Sequence, residues 1–499
     1  MGRAKYFMAN IDYRIQKITY FCTMIKPRVI FLSEGIALLL IFLISTFFLP
    51  LNYGIQLTLG LLLAYAIPRI IYSRRSHYST SGHAVLIVLW FILSALAVNY
   101  VGRCTAWGAL PLSEPHLWGD ANRYWSYAEA FYSGSTYTHS RASFGLSLIT
   151  AVAWLVSGKS IITPVCINIC LTISTVVLMG SVTLHLLAHR TSRSAQSVAS
   201  LAMLASSVLF YWLSHAMQML KEPLISFGVV LCALALARTI ERRHSAPRFA
   251  WRDVAVFALG ALLVASVRSP YALVMAAGAL MCTIYRRPRY SVLAMAACAV
   301  MAYCIVYLLT QTLLMRPVHL FLEENNAQLV SQQYIIGASQ IPYYNIIGDY
   351  FTYPWWKKLL LLPFTSMVQY IIPFPWVFST PHIDEVFPRI GLGAYIVGGM
   401  ALFYIFFLSW RRTSRLTAFT AWAILCFVTP AYAVAGSVPR YVTPFQLLFV
   451  PMAVYVLVLL LENQHRKNFT IFAVAYAVVL VITLILCYSA QADALSIYA

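Results

Sequence analysis

The side chains best suited to chemistry lie in one short polar segment, residues 116–141, of a strongly apolar chain. The segment carries Asp120, Arg123 and Glu129 among many aromatic residues, whereas only 10% of the chain is charged. Ionisable side chains are costly in or beside a bilayer, so those that are kept there commonly have a function. A carboxylate that reaches a hydroxyl group can act as a general base. We therefore expect this segment to carry the acid–base chemistry of a membrane enzyme.

The sequence around Asp120 predicts a short helix with an aromatic face. The helix begins at Asp120, where the helix dipole favours an acidic residue, and ends at Gly134, a typical C-terminal residue. Asp120, Tyr124 and Tyr127 are spaced to share one face. A carboxylate beside aromatic rings suits a sugar, whose apolar faces stack on such rings. A helix-capping acid with tyrosines at the membrane interface is the alternative interpretation.

A second pair of charges stands in a short turn before an apolar segment. Lys221 and Glu222 precede Pro223, a residue favoured in the first turn of a helix. The ammonium of Lys221 offers a point charge to a phosphate, and Glu222 is suited to orient it or to assist proton transfer. An ordinary capped turn between two helices fits the same residues.

Two arginines stand at the ends of apolar segments farther along the chain. Arg268 comes shortly before Pro270, and Arg440 is followed by Tyr441. The guanidinium group stays charged, and its planar fork matches phosphate oxygens. Both positions predict contacts with a phosphate group, and lipid headgroups are the alternative partner.

Composition predicts an all-α polytopic membrane protein that forms a single integral membrane domain over residues 1–499. The chain is 61% hydrophobic and its mean hydropathy is +0.76. We predict about 13 transmembrane helices from apolar stretches long enough to cross a bilayer. They are 29–49, 55–72, 84–102, 165–188, 198–214, 223–238, 253–267, 270–285, 291–314, 391–410, 416–436, 445–462 and 469–490. Two further apolar stretches, 144–157 and 357–378, are predicted to lie on the membrane surface or to re-enter it.

Positive charge predicts the orientation in the membrane. With the N-terminus in the cytoplasm, most of the 35 Lys and Arg residues fall in cytoplasmic connections, as the positive-inside rule requires. The long connections 103–164 and 315–390 and the charged turns then face the exterior. The net charge of +20 is thus a topology signal and predicts no nucleic-acid partner. No cysteine cluster, phosphate-binding loop or His-rich motif predicts a metal or nucleotide site.

The order of these features resembles the C-type (GT-C) integral-membrane glycosyltransferases over residues 116–450. These enzymes carry an acidic residue in the first large outer loop, in a context like D-x-x-x-Y-x-x-x-A before a glycine. The matching residues are Asp120, Tyr124, Ala128 and Gly134. Relatives from bacterial polysaccharide clusters share four more motifs, which match Lys221-Glu222, Arg268-Ser269-Pro270, Pro373 to Trp376 and Arg440 to Pro444. The acidic loop follows the third predicted span here rather than the first, and Gly119-Asp120 replaces the familiar acidic pair.

The resemblance implies an inverting glycosyltransferase of cell-surface polysaccharide biosynthesis in the bacterial cytoplasmic membrane, with its site on the exterior or periplasmic side. The donor would be a polyprenyl-phosphate- or polyprenyl-diphosphate-linked sugar, and the acceptor a hydroxyl of a glycan or lipid-linked molecule. Asp120 would be the general base, assisted by Glu222, while Lys221, Arg268 and Arg440 would stabilise the departing phosphate. The other implied binding or supporting residues are Arg123, Tyr124, Tyr127, Glu129 and Tyr441. A divalent metal is compatible with this chemistry, but nothing in the sequence demands one.

Three alternatives stay open. An O-antigen or exopolysaccharide polymerase would need the same charges at the same membrane face. A lipid-linked oligosaccharide flippase would line the middle of several spans with charge, but Glu34 alone occupies a predicted span interior. A non-catalytic scaffold is the third. The enzyme hypothesis requires Asp120, Lys221, Arg268 and Arg440 to converge on one cavity at the exterior end of the helices.

Overall fold

The computed structural model describes residues 27–135, 144–187, 194–208, 216–242, 250–284, 353–368, 400, 404, 415–434, 444–462 and 466–498. Its helices are α1 (Pro27–Phe48), α2 (Leu51–Ser73), α3 (Thr80–Cys104), α4 (Gly119–Ser133), α5 (Gly145–Ser157), α6 (Ile162–Leu187), α7 (Ala195–Val208), α8 (Glu222–Arg242), α9 (Trp251–Ile284), α10 (Trp355–Val368), α11 (Arg415–Val434), α12 (Val450–Leu461) and α13 (Arg466–Tyr498). Two short 3₁₀ helices, Ala106–Gly108 and Leu447–Phe449, complete the described secondary structure.

Six helical stretches of the described chain are long and apolar enough to cross a membrane, which indicates a membrane protein. They are Val29–Phe48, Leu51–Ser73, Thr80–Cys104, Ile162–Leu187, Glu222–Arg242 and Pro444–Leu461. The predicted all-helical class is confirmed for the described residues, where no strand occurs. The predicted count of about 13 spans is not confirmed. Of the predicted spans 291–314 and 391–410, the structure describes only Met400 and Tyr404.

Two short helices fall on the stretches predicted to lie on the membrane surface or to re-enter it. Helix α5 has 13 residues, and at ~1.5 Å per residue it is shorter than the ~30 Å hydrocarbon core. This length agrees with the prediction of a surface-lying or re-entrant helix at 144–157. Helix α10 covers the first part of the predicted stretch 357–378, and the second part lies outside the described residues.

Helices α6 and α8 form the centre of the described bundle. In their most apolar segments, 78% and 83% of the residues are buried, compared with 22% in α1. The exposed side chains of α1 include Phe31, Leu39 and Phe47, as expected of a surface that faces lipid. The site described below lies at the end of the bundle where these two central helices begin.

A pair of glycines brings α8 and α9 close together. A Cβ atom on Gly228 would lie 2.8 Å from the carbonyl oxygen of Gly260, and one on Gly260 would lie 2.6 Å from the carbonyl oxygen of Gly228. Small residues at such a crossing let helix backbones approach closely, which is a main source of packing energy between membrane helices. The close crossing holds the α9 backbone directly against the helix that begins with Glu222.

The bundle has two polar ends. We call the end at which α3 finishes and α6 and α8 begin the site end; it also carries α4, α5 and Arg268. Arg268 has a non-helical backbone (φ −149°, ψ 80°) that interrupts α9 between the predicted spans 253–267 and 270–285. At the opposite end, α2 finishes and α3 begins. There the last part of α8 contacts the first turn of α9, because Asp253 forms ion pairs with Arg238 and Arg242.

Candidate active site

Helix α4 forms as the sequence predicts. It begins at Gly119, after Trp118 in extended conformation, and it ends at Gly134, whose left-handed backbone (φ 67°) lets its N–H bond to the carbonyl of Ala130. Asp120 is half-buried in the first turn, where the free N–H groups and the helix dipole favour a carboxylate. The helix therefore presents Asp120 at a fixed point of the site end.

The tyrosines that follow Asp120 line the buried face of α4. Tyr124 is 3% exposed and Tyr127 is 7% exposed, and their rings meet edge to face with centroids 6.4 Å apart. The hydroxyl of Ser147 in α5 donates a hydrogen bond of 2.9 Å to the carbonyl oxygen of Tyr124. Because this bond joins the two short helices, the aromatic face does not depend on α4 alone for its position.

Lys221 reaches this aromatic face from a distant part of the chain. Its Nζ atom lies 5.5 Å from the centre of the Tyr124 ring, within the range of a cation–π contact. The turn before Lys221 is anchored by Asn168 of α6, whose side-chain amide donates to the carbonyl oxygens of Gln218 (2.6 Å) and Leu220 (2.9 Å). The fold thus brings the predicted phosphate-binding cation to the helix that carries the predicted base.

Glu222 is the most unusual carboxylate at the site end. It is 2% exposed, and neither of its carboxylate oxygens has a hydrogen-bond partner among the described residues. Burial of an unpaired polar or charged group is costly, and its position at the start of α8 offsets only part of this cost. The buried oxygens Oδ1 of Asn168 and Oγ of Ser226 also have no partner within the described structure. Such groups in a native fold call for a functional reason or a bound water or ion.

Arg123 stands one turn after Asp120 and keeps its charge. Its Nε atom donates a 2.5 Å hydrogen bond to the hydroxyl of Tyr127, and its guanidinium lies 5.6 Å from the centre of that ring. Burial opposes the charge of Arg123, but the hydrogen bond to Tyr127 and the attraction of nearby residues, including Asp120, raise its pKa above the ordinary value. The guanidinium of Arg123 therefore places a permanent positive charge one turn after Asp120.

Arg268 lies at the site end and contacts Tyr271. Its Nη1 atom donates a 3.2 Å hydrogen bond to the hydroxyl of Tyr271, and the guanidinium lies 5.5 Å from the centre of that ring. The Tyr271 ring in turn meets Phe445 edge to face, with centroids 5.2 Å apart. Phe445 follows Pro444, the one residue of the Arg440 motif that belongs to the described part of the chain.

The first turn of α5 connects Arg268 with the aromatic face of α4. A Cβ atom on Gly145 would lie 2.1 Å from the hydroxyl oxygen of Ser266, so the start of α5 touches the residues that precede Arg268. Ser147, in the same turn, bonds to Tyr124. Asp120, Lys221, Glu222 and Arg268 therefore lie on neighbouring elements at one end of the bundle.

Glu129 stands apart from these residues. At ~100° per residue it lies about 180° around α4 from Asp120, and it forms an ion pair with Lys159. The Nζ atom of Lys159 lies 5.7 Å from the centre of the Trp125 ring, and Trp125 meets Trp154 edge to face. Glu129, predicted to bind substrate, thus joins α4 to the connection between α5 and α6. The predicted residues Arg440 and Tyr441 lie outside the described residues.

Three residues that organise the site were not predicted. Asn168 anchors the turn of Lys221, Ser147 bonds to α4, and Tyr271 receives the hydrogen bond of Arg268. Asn168 could have been noticed as a carboxamide in an apolar helix, and Tyr271 as the aromatic residue one turn after Arg268. Nothing in the sequence around Ser147 points to its partner. Within the described part of the chain, no group of three or more His, Cys, Asp and Glu side chains is placed to hold a metal ion.

Comparison with known proteins identifies no relative. No family model, no curated protein and no solved structure matches the chain. The function has to be argued from the chemistry of the residues that the fold gathers at the site end.

Proposed function

We propose that this protein is a membrane glycosyltransferase that moves a sugar or glycan from a polyprenyl-(di)phosphate donor to an acceptor hydroxyl. The observation that carries the proposal is the contact of Lys221 with Tyr124, 5.5 Å from nitrogen to ring centre. It brings together a carboxylate-bearing helix, an aromatic face and a cation suited to phosphate. In this proposal the site faces the exterior or periplasmic side of the bacterial cytoplasmic membrane.

The chemistry assigned to the site is an inverting displacement. Asp120 accepts the proton of the acceptor hydroxyl, and the hydroxyl oxygen attacks the anomeric carbon of the donor sugar. The bond between that carbon and the phosphate oxygen breaks, and its electron pair leaves with the phosphate. Lys221 and Arg268 stabilise the negative charge that develops on the phosphate, which is the largest electrostatic demand of the reaction. Tyr124 and Tyr127 supply the apolar surface on which the sugar rests.

Glu222 is assigned to proton transfer. A carboxylate that oriented Lys221 would hydrogen-bond to it, but the side-chain oxygens of Glu222 have no hydrogen-bond partner among the described residues. Its buried oxygens are therefore available for a proton that arrives with substrate or water. Because the Glu222 carboxylate does not hydrogen-bond to Lys221, we assign the two residues separate roles. Lys221 binds the phosphate, and Glu222 transfers the proton.

An O-antigen or exopolysaccharide polymerase would use the same groups and differs only in its lipid-linked acceptor. A flippase receives less support. Glu34, the acid that a flippase could use inside a span, accepts hydrogen bonds from Tyr65 and Arg69 and contacts His83 at 2.8 Å. A carboxylate held by three partners is suited to stabilising helix contacts rather than to guiding a moving headgroup.

The test is transfer from a radiolabelled polyprenyl-phosphate-linked hexose by membranes that contain Asp120→Asn, Lys221→Ala or Glu129→Gln. Loss of a general base lowers rates by about 10²–10⁴-fold, and loss of a donor to developing charge by about 10²–10³-fold. Glu129→Gln is the matched control, since it alters a carboxylate on the other side of the same helix. Wild-type turnover in both Asp120→Asn and Lys221→Ala would refute the assignment. Repeated elongation of a lipid-linked acceptor would favour the polymerase.

A further inference from the structure

We propose that a cavity between α3, Trp118 and the turn before Lys221 binds one monosaccharide unit of the acceptor glycan. The cavity has a volume of about 210 Å³, and its polar wall includes Asn99, Arg103, Trp118 and Gln218. The inference rests on the proposed function, because the acceptor is defined by that reaction. None of these four residues was a candidate in the sequence.

The cavity has a graded wall along one face of α3. Leu96, Asn99 and Arg103 all line it and are spaced by three and four residues, which places them on the same side of the helix. Leu96 lies about 10 Å from Arg103 along the helix axis, at ~1.5 Å per residue. The α3 wall therefore runs from an apolar residue inside the bundle to a charged residue at the site end. Such a gradient suits a group whose hydroxyls lie near the site end.

Two side-chain amides in this wall are available for a ligand. Neither the carboxamide of Asn99 nor that of Gln218 forms a hydrogen bond with a described residue. The backbone of Gln218 is held by Asn168 of α6, so its side chain starts from a fixed point. A carboxamide donates and accepts hydrogen bonds side by side, which matches the hydroxyls of a sugar.

Trp118 is held in place by its neighbours but keeps an open surface. The guanidinium of Arg103 lies 5.6 Å from the centre of the indole, and the ring of His116 meets it edge to face at 5.0 Å. The backbone N–H of His116 donates a 2.7 Å hydrogen bond to the carbonyl oxygen of Cys104, which ties this segment to α3. Trp118 is nevertheless 49% exposed. Indole surface therefore remains for the apolar face of a sugar ring.

The position of the cavity favours the acceptor over the donor. Only Gly119 separates Trp118 from Asp120, and a general base has to reach the hydroxyl from which it takes the proton. The donor phosphate is assigned to Lys221 and Arg268. The cavity is also smaller than the ~300–1,000 Å³ clefts that hold drug-sized ligands, so it suits one sugar unit and not a whole oligosaccharide.

Saturation-transfer NMR on the full-length protein in detergent micelles tests the proposal. The probes are the methyl glycosides of glucose, galactose and glucuronic acid, with inorganic phosphate as competitor. We expect at least one glycoside to bind the wild type, and roughly fivefold weaker binding to Asn99→Ala and to Gln218→Ala, as for loss of one hydrogen bond. Leu96→Trp fills the cavity without removing a polar group and should abolish binding. Glu129→Gln should bind like the wild type.

The outcomes separate this proposal from the proposed function. Asp120→Asn should still bind the glycoside although it no longer transfers sugar. If Asp120→Asn and Lys221→Ala keep full transfer while binding still depends on Asn99 and Leu96, the function fails and the cavity assignment holds. Binding of no glycoside, or equal binding by the wild type, Asn99→Ala and Leu96→Trp, would overturn the assignment. Occupation of the cavity by phosphate alone would mark an anion site and also overturn it.

Discussion

The two polar ends of the bundle use charge differently. At the opposite end, acids meet bases: Glu34 bonds to Arg69, Asp253 pairs with Arg242, and Glu241 lies 2.6 Å from His185. At the site end, Lys221 and Arg268 lie over tyrosine rings. Glu222 is buried there without a hydrogen-bond partner among the described residues.

For the carboxylates, this difference separates acids that stabilise the fold, such as Glu34, from an acid suited to a substrate, Glu222. A paired network is complete in itself, and removal of one partner leaves the other unsatisfied. A buried carboxylate without a partner lowers stability, so its presence is better explained by function. Glu129 and Lys159 show that a paired acid also occurs at the site end, and they provide an internal control.

The largest expected effect is that of Glu222→Gln. The substitution removes a buried carboxyl group that has no hydrogen-bond partner among the described residues, so the melting temperature should stay the same or rise. If Glu222 transfers a proton, the transfer rate should fall by about 10²–10⁴-fold. Thermal melting in detergent and the radiolabelled transfer assay measure the two effects. If Glu222→Gln lost much stability but transferred sugar normally, Glu222 would be a residue that stabilises the fold, like the acids at the opposite end.

Glu34→Gln should give the opposite result. It weakens the buried bonds with Arg69, Tyr65 and His83, and an unsatisfied buried group costs about 1–3 kcal/mol. The melting temperature should fall, while transfer per folded molecule should remain near wild type. A variant that melts normally but no longer transfers would indicate that the opposite end takes part in the reaction.

Tyr271→Phe should lower the transfer rate by a smaller factor, and it tests whether Tyr271 positions Arg268. It removes one hydroxyl that accepts from the Arg268 guanidinium and keeps the ring against Phe445. The loss of about 0.5–1.5 kcal/mol corresponds to a roughly two- to tenfold lower kcat/KM for the polyprenyl-linked donor. Tyr132→Phe is the control, since the Tyr132 ring meets Trp154 of α5 rather than Arg268. Equal kinetics for the two variants would argue against a positioning role for Tyr271.

The smallest effect is expected for the exposed pair of Glu129 and Lys159. The two side chains are 41% and 26% exposed, and exposed ion pairs contribute about 0–1 kcal/mol. A double-mutant cycle of Glu129→Gln and Lys159→Met should therefore give a small coupling energy in thermal melting, with transfer unchanged. A marked loss of transfer in Glu129→Gln would support its predicted contact with substrate.

Local features of the site were predictable because they depend on neighbours in the sequence. Gly134 ends α4 because glycine adopts a left-handed backbone easily. The acidic first turn of α4, the start of α8 near Pro223 and the interruption of α9 at Arg268 also follow from short patterns. The number of spans was not confirmed, since several predicted stretches are described only in part or not at all.

By itself, the sequence determined the helical class, the apolar character of a membrane protein and the ends of individual helices, since these depend on composition and on residues a few positions apart. Only the tertiary structure decided that Lys221 rests over Tyr124, that Glu129 turns to Lys159, and that Asn99 and Gln218 share a cavity. Contacts of this kind depend on which helices cross and how closely. That choice is made by packing over the whole bundle, which no short pattern contains.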